Sequence, residues 1–593
     1  MKRLMTGNEA IARGAWEYGI CFASAYPGTP STEILENIAL YNKDIYSEWA
    51  PNEKVALESA IGASIAGVRS LSAMKHVGVN VAADPLFTFA YTGVNSGMVL
   101  ISADDPGMHS SQNEQDNRNY AAFAKIAMFE PSDSQECKDM VGEALKISED
   151  FDIPALIRIT TRISHSKGIV VCEDERLEMP NKPYIKKMEK YVAVPAHSRK
   201  LRINLEDRQK RLAEYSETTS MNSIEWENRG IGVIASGIVY QYAREALGDG
   251  ASYLKLGFTH PLPMKKIRDF ASKVDKLWVI EEGDPYLENQ IKAAGIICSG
   301  RDTFSGIGEL SAGEIGLKIA GNSCEVLSSD TSKVVPRPPA FCAGCPHRGF
   351  FYQLGKMKNL MITGDIGCYA LAFNKPFNAI DTVICMGASI STGHGAQKAF
   401  EIKGEDRRVV AVLGDSTFFH TGINSLLNIV YNNSKTITCI LDNRITGMTG
   451  HQENPGSGYN LRGEPASAVN IEEVCRSLGV KNIQTINPND LKKVKETLKW
   501  AMELDEPVVI ITRWPCVLKK FSQEDKTEFG NIFSKYHVDI EACTACKACL
   551  KAGCPAISLS KDSKKVEIAQ ASCTGCGVCA QICPAEAIFR EEI

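Results

Sequence analysis

Hydrophobic positions recur along this chain in short runs separated by amphipathic stretches, the alternation expected of α/β folds. Residues Asn8 to Tyr18 predict an amphipathic helix, and GICFASAYPGTPSTEI (19–34) reads as strand, turn and helix start. Glu53 to Ser70 is an Ala/Gly-rich helical stretch whose small side chains predict close packing on a neighbour. Apolar runs at Met98–Ser102 and Pro154–Thr160 predict buried strands. From 181 to 229 Lys, Arg and Glu dominate with no sustained strand pattern, so this segment reads as a part-helical connector. GIGVIASG (230–237) then opens a second α/β unit, with strands near Tyr253–Leu256 and Leu277–Glu281, closed by the linker SDTSKVVPRPPA (329–340). A third unit has strands at Val409–Leu413, Thr436–Leu441 and Val508–Thr512, and the charged stretch FSQEDKTEFGNIFSKY (521–536) leads into a cysteine-rich tail. The expected plan is units at 1–180, 230–330 and 341–520, a connector at 181–229 and a small terminal module at 537–593.

Composition narrows the class. A length of 593 residues exceeds a single core, and 44% apolar with 23% charged residues is ordinary for globular proteins. A net charge of −5 gives no electrostatic case for nucleic acid. No apolar run reaches the roughly 18 residues that span a bilayer. Glu9, Arg13 and Glu17 interrupt the N-terminus where a secretory signal needs its apolar run. A cytoplasmic location without a membrane partner is expected.

The 20 cysteines change the picture, because eight fall between Cys543 and Cys583 and three between Cys342 and Cys368. Bunching of this kind, without a secretory signal, points to metal ligation rather than disulfides. The scattered Cys21, Cys137, Cys172, Cys298, Cys324, Cys385, Cys439 and Cys475 read as small buried hydrophobes. Residues 543–555 (CTACKACLKAGCP) and 573–584 (CTGCGVCAQICP) are two successive C-x2-C-x2-C…C-P runs, the signature of a bacterial two-cluster ferredoxin. Three closely spaced thiolates wrap one cubane and the fourth, before proline, ligates the other. The expected sets are Cys543, Cys546 and Cys549 with Cys583, and Cys573, Cys576 and Cys579 with Cys554. The first run carries four residues before its last cysteine instead of three, which predicts a local bulge. Structural zinc is the rival, but it does not require paired C-P ends.

Gly414, Asp415 and Ser416 end a Val-rich strand, and Asn443 follows Asp415 by 28 residues at the end of the next one, CILDN. Strand carboxyl ends are where α/β sheets bind ligands. Mg2+ takes octahedral oxygen ligands and is often held by few protein groups plus phosphates. The Asp415 carboxylate, the Asn443 amide oxygen and the Ile445 carbonyl would leave positions for diphosphate oxygens and a water. Glycines at 387, 393, 395 and 422 mark turns whose N–H groups suit phosphate.

The spacing resembles the thiamine-diphosphate motif GDG-x(25–30)-N, with Ser416 where glycine is usual. YPGTPSTEI (26–34) looks like the YPxTP motif of pyruvate:ferredoxin oxidoreductases, and NEKVALESAIGASIAG (52–67) resembles the helix that presents their cofactor-activating glutamate. CAGC (342–345) with Cys368, and Cys516 after the strand VVIITRWP, resemble the ligands of their proximal cluster. The whole chain is thus similar to the thiamine-diphosphate-dependent 2-oxoacid:ferredoxin oxidoreductases, and in its order of units to the large subunit of the indolepyruvate branch. The resemblance implies a multidomain α/β fold: a pyrimidine-binding domain (1–180), a transketolase-C-like domain (230–330), a diphosphate- and Mg-binding domain (341–520) and a C-terminal α+β ferredoxin domain with two [4Fe–4S] clusters.

Carried over residue by residue, Glu53 takes the place of the glutamate that hydrogen-bonds the aminopyrimidine N1′, an acid–base role. Thr29 matches the threonine near the oxoacid. Cys342, Cys345, Cys368 and Cys516 would hold a third [4Fe–4S] cluster. The implied reaction converts an aryl-pyruvate, CoA and two oxidised ferredoxins to aryl-acetyl-CoA, CO2 and two reduced ferredoxins. A domain that single-chain relatives contain is not found here, which implies a separate small (beta) subunit in an α2β2 assembly. The rivals are an aliphatic 2-oxoacid substrate, a non-oxidative thiamine-dependent decarboxylase with a ferredoxin tail used for assembly, and an electron-transfer scaffold. Intact Asp415, Asn443 and Glu53 argue against the scaffold.

Overall fold

Residues 1–178, 182–321, 330–335, 337–529 and 534–590 are described by the computed structural model. The chain forms two compact units, Met1–Ser329 and Asp330–Ile593.

The first unit is built on a seven-stranded sheet in the order 258–260, 127–129, 155–160, 98–104, 70–75, 22–25, 46–49. Six strands are parallel and Phe258–His260 joins antiparallel at the edge. The strands Met98–Asp104 and Ala155–Thr160 are buried at every residue, as parallel strands covered on both faces must be, and so read as mainly apolar runs. The strand Ser70–Lys75 is equally buried, yet its sequence SLSAMK carries no apolar run, and the helical stretch expected from the sequence reaches its first residue, Ser70. That helix ends at Ala66 because Gly67 turns left-handed, with φ +107°.

A second sheet in this unit has the order 276–280, 231–236, 252–256, 222–225, with only its last strand antiparallel. The segment from 181 on is mainly the long helix Pro195–Thr218, but it also supplies the edge strand Asn222–Glu225, which the sequence had not disclosed. Its residues NSIE are too polar to show as a strand. They are fixed in place because the Asn222 side chain accepts the N–H groups of Gly257 (3.1 Å) and Phe258 (3.0 Å). Phe258 then enters the first sheet edge-on to Phe129, their rings 5.1 Å apart.

In the second unit a six-stranded, fully parallel sheet has the order 382–383, 360–364, 408–414, 437–442, 508–513, 482–486. Alternate residues of Val409–Leu413 serve two cores: Val410 and Val412 pack with Phe350, Phe351 and Leu441, and Ala411 and Leu413 with Ile390, Phe418 and Ile440. The tail adds two small antiparallel sheets, 536–538 with 588–590 and 557–559 with 566–568. Among the described residues no helix is long and apolar enough to cross a membrane.

Of the scattered cysteines, Cys137, Cys172, Cys298, Cys439 and Cys475 are buried as expected, whereas Cys21 is half-buried and Cys385 exposed. Cys324 lies outside the described residues.

Candidate functional site

The tail gathers its cysteines into two groups. Burial raises the Cys549 thiol, and charge on Cys583, Cys546 and Cys543 raises it further. Cys579, pushed up to about 12 by burial, sits among Cys576, Cys554 and Cys573. Cys583 and Cys554 thus each act electrostatically on thiols of the other run, as the crossed arrangement of a two-cluster ferredoxin requires. Both runs need left-handed backbone between their thiolates. The second supplies Gly575 and Gly577, and the first does the same with Ala545 (φ +54°) and Lys547 (φ +61°). The extra residue of the first run is absorbed in a 3-10 turn over Ala548–Ala552 that ends on Gly553 (φ +60°), against the Pro376 ring.

Cys342, Cys345, Cys368 and Cys516 form a third gathering. Cys368 is raised to about 11 by burial and then by Cys516 and Cys342. Cys345 is raised by burial and further by Cys368 and Cys516. Among the described residues no three Cys, His, Asp or Glu side chains stand within reach of a single metal ion. Arg348, only 1% exposed, ties this loop to the tail. Its guanidinium donates to the carbonyls of Phe341 (2.9 Å), Cys342 (2.7 Å) and Ala552 (2.7 Å). Its charge is felt by Cys345 and by Cys576. Gly344 (φ +69°) lies so close to Thr574 that a Cβ there would meet its hydroxyl at 1.7 Å.

Asp415 starts a helical turn directly after the strand Arg408–Gly414 and is 2% exposed. Its carboxylate accepts the Ser416 N–H (2.8 Å) and the Asn454 amide (3.2 Å). Burial, then the neighbouring Asp442, pushes it up to about 7. Asp442 has its own cation, Arg513, at 2.8 Å, while among the described residues no cation pairs with Asp415. A buried carboxylate with a second carboxylate nearby and no cationic partner is a donor set that fits a divalent cation. Asn443 is buried beside it, its amide oxygen accepting the Ile445 N–H (3.2 Å). Ser416 occupies helical backbone that does not require glycine, and its hydroxyl accepts from Thr446 (2.9 Å). The Cys516 N–H donates to the Asn443 carbonyl (3.0 Å), so the third cysteine gathering adjoins these residues.

Gly387 (φ +81°) caps the helix Ala388–Lys403. Gly393 is placed differently, well inside that helix, where N–H groups are taken by the helix itself. A Cβ there would press on Thr363 and Val409, so this glycine serves helix–sheet packing. Two groups escaped the sequence reading. Asp365, pushed up to about 6 by burial, accepts the N–H groups of Ile366 (2.8 Å), Gly387 (2.9 Å) and Ser389 (3.0 Å) and so fixes the helix start. A second Gly-Asp at a strand end, Gly364-Asp365, was the available signal. Asn454, in the irregular stretch after Asn443, carried none.

In the first unit Glu53 begins the helix Glu53–Ala66, whose Asn52 cap accepts the Val55 N–H (2.9 Å). Glu53 is 5% exposed, and Gly78 leaves room for it, since a Cβ on Gly78 would meet Glu53 Cγ at 2.6 Å. Thr29 lies in a loop after the strand Phe22–Ala25. Asn8 donates to the Pro30 carbonyl (2.7 Å), Ser31 to the Gly28 carbonyl (2.8 Å) and the Gly28 N–H to Thr32 (3.0 Å), which fixes the loop.

Fold and site together define a thiamine-diphosphate enzyme joined to iron–sulfur electron carriers. Residues 13–225 match the family profile "Pyruvate flavodoxin/ferredoxin oxidoreductase, thiamine diP-bdg". Residues 365–512 match "Thiamine pyrophosphate enzyme, C-terminal TPP binding domain", and residues 535–584 match "4Fe-4S dicluster domain". The chain is 41% identical to the indolepyruvate oxidoreductase subunit IorA of Archaeoglobus fulgidus, over 99% of this chain and 97% of that one. It is 39% identical to the subunit of the same name from Pyrococcus horikoshii, over 98% and 96%. The 2-oxoglutarate synthase subunit KorA of Methanothermobacter thermautotrophicus is 27% identical over 30% of this chain and 48% of its own. A solved 2-oxoglutarate:ferredoxin oxidoreductase from Magnetococcus marinus aligns with a TM-score of 0.46 at 17% identity, covering 54% of this chain and 65% of that one. The chain belongs to the thiamine-diphosphate-dependent 2-oxoacid:ferredoxin oxidoreductase family, in the group of IorA subunits. Its activity is 2-oxoacid:ferredoxin oxidoreduction with thiamine diphosphate and [4Fe–4S] clusters.

Proposed function

We propose that the chain oxidatively decarboxylates aryl 2-oxoacids of the indolepyruvate type to aryl-acetyl-CoA and CO2, working in the cytoplasm. Ferredoxin takes the electrons, and a separate small subunit completes an α2β2 complex. The observation that carries this reading is the near-full-length identity to IorA subunits. Thiamine diphosphate, when bound, supplies the carbanion-stabilising centre, and the clusters carry electrons one at a time. Asp415, Asn443 and the Ile445 carbonyl would hold Mg2+, with Gly387, Gly414 and Ser416 at the same strand and helix ends. Glu53 holds and returns a proton at N1′ of the aminopyrimidine. Thr29 lies beside the oxoacid. Assay of the purified two-subunit complex against a panel of 2-oxoacids tests the substrate class: indolepyruvate and phenylpyruvate are expected to give the highest kcat/KM. Preference for pyruvate or 2-oxoglutarate would overturn the aryl assignment.

Cys342, Cys345, Cys368 and Cys516 hold a third [4Fe–4S] cluster on this reading. Its support is their gathering beside Asn443 and the Arg348 bridge toward Cys576. Anaerobically prepared chain is then expected to contain about 12 irons, against about 8 for the tail alone. Replacing Cys342 and Cys345 together by serine lowers the count to about 8. A count near 8 in the unaltered chain would remove the third cluster.

A further inference from the structure

Three lysines are buried among the described residues: Lys75, Lys138 and Lys519. Two of them are answered by carboxylates, Lys138 by Glu17 and Lys519 by Asp525, each at 2.9 Å. Lys75 is the exception. It is 8% exposed, and among the described residues no carboxylate stands within ion-pair distance. Its ammonium donates only to the Ser110 carbonyl (2.6 Å) and hydroxyl (3.4 Å). A buried cation held by neutral oxygens is costly, and its place in the fold gives that cost a purpose.

Lys75 is the last residue of the interior strand Ser70–Lys75, at a carboxyl end of the parallel sheet, where ligands bind. Its side-chain stem lies along Gly28, whose Cβ, were there one, would sit 3.0 Å from that of Lys75. Ser110, the partner of its ammonium, donates to the Thr29 carbonyl (3.4 Å). Three residues further on, Gly78 adjoins Glu53. The short segment from Lys75 to Gly78 thus reaches both residues assigned to the reacting centre in this unit, and the sequence reading had given it no role. The His76 carbonyl anchors the turn by accepting from Asn117 (3.0 Å) and Gln115 (3.3 Å).

We infer that Lys75 is the cation that receives the carboxylate of the 2-oxoacid, binding it beside Thr29. This inference rests on the reading of Thr29 and Glu53 as active-site residues. Every 2-oxoacid carries a carboxylate whatever its side chain, so Lys75 sets affinity for the acid group and not the aryl preference. The carboxylate loses its charge as CO2 departs, so a cation on it stabilises bound substrate more than the transition state. Its loss therefore raises KM without lowering kcat.

Burial lowers the lysine to about 8, partly offset by attraction to Asp105. Besides Asp105, the titratable groups nearest in the chain path are His76 and, next to Gly78, Glu53. Asp105 is itself held below the usual carboxylate range: burial opposes its charge, but Ser111, Ser110, Thr161 and Lys75 together outweigh it. The cationic form that binds a carboxylate is thus present below about pH 8 and lost above it.

The test uses the complete two-subunit complex. Lys75→Met is expected to raise KM for indolepyruvate about 30-fold or more, with kcat little changed. Lys75→Arg restores most of the affinity. In the unaltered enzyme KM rises above about pH 8, and in Lys75→Arg it stays flat there, because arginine remains charged. Binding of the unreactive phenyllactate, followed by isothermal titration, exceeds that of its methyl ester in the unaltered complex and not in Lys75→Met. An unchanged KM in Lys75→Met, or equal binding of acid and ester by the unaltered complex, overturns the inference. Should Lys75→Met fail to fold, a KM independent of pH from 7 to 9.5 in the unaltered enzyme overturns it as well. Failure of the underlying site reading shows separately, as full turnover in Glu53→Gln.

Discussion

Glu53→Gln is expected to leave a folded chain that still binds thiamine diphosphate but turns over about 10²–10⁴-fold more slowly, the usual worth of a positioned acid–base group. Glutamine keeps the size of the side chain and its place at the head of the helix Glu53–Ala66. What it loses is the capacity to hold a proton against N1′ and give it back. The environment makes this loss specific. Glu53 is buried where Gly78 leaves room for it, so the change removes a proton site and not a surface charge. Exchange of the cofactor's C2 proton, followed by NMR, is the direct readout, and exchange at the unaltered rate would transfer the role to another group. Gly78→Ala approaches the same site from the opposite side. Its methyl displaces the Glu53 side chain, and a misplacement on the order of 1 Å can cost about 10²-fold.

Asp415→Ala is expected to abolish Mg2+-dependent binding of thiamine diphosphate. Its carboxylate is the only charged group in the proposed ligand set, since Asn443 and the Ile445 carbonyl are neutral. Asp442 does not take over, because its charge is already paired with Arg513. Without Asp415 the Mg2+ would lose its only charged protein ligand, and removing one partner of a buried charged pair typically costs about 3–5 kcal/mol. That corresponds to a loss of more than about a hundredfold in affinity. The same substitution removes a buried carboxylate that burial and Asp442 hold near pH 7, so the apoprotein is not expected to lose stability. Cofactor content after desalting and the melting temperature together check the prediction. A normal cofactor content would overturn the metal assignment.

Much of this architecture is legible in the sequence wherever burial alone dictates residue type. RVVAVLG, ITCILD and VVIITR are covered on both faces, so apolar residues dominate their interiors, and the expected strands fall within one residue of the observed ends. Ser70–Lys75 is just as buried but lies beneath small-residue packing, where Ser and Ala suffice, so no run marks it. Phe258–His260 is too short for any period to register, and its place is decided by Phe129 across the sheet. The cysteine runs were legible because ligation fixes spacing along the chain. Asp365, Asn454 and Lys75 were not, because their significance lies in what stands across from them in space. Gly393 shows the converse: a glycine near a phosphate motif is read as cradle, when helix–sheet contact already requires it.

The central claim is that carbon–carbon cleavage in this protein is coupled to electron transfer, and one measurement tests it most directly. The anaerobic complex, given indolepyruvate, CoA and oxidised ferredoxin, is followed for CO2 release and ferredoxin reduction in the same sample. Each CO2 is expected to be matched by two one-electron reductions and one acyl-CoA, and removal of ferredoxin to stop CO2 release after a first turnover. Continued CO2 release with indole-acetaldehyde as product and no reduced ferredoxin would contradict it, and would make the cysteine-rich tail a structural appendage of a non-oxidative decarboxylase.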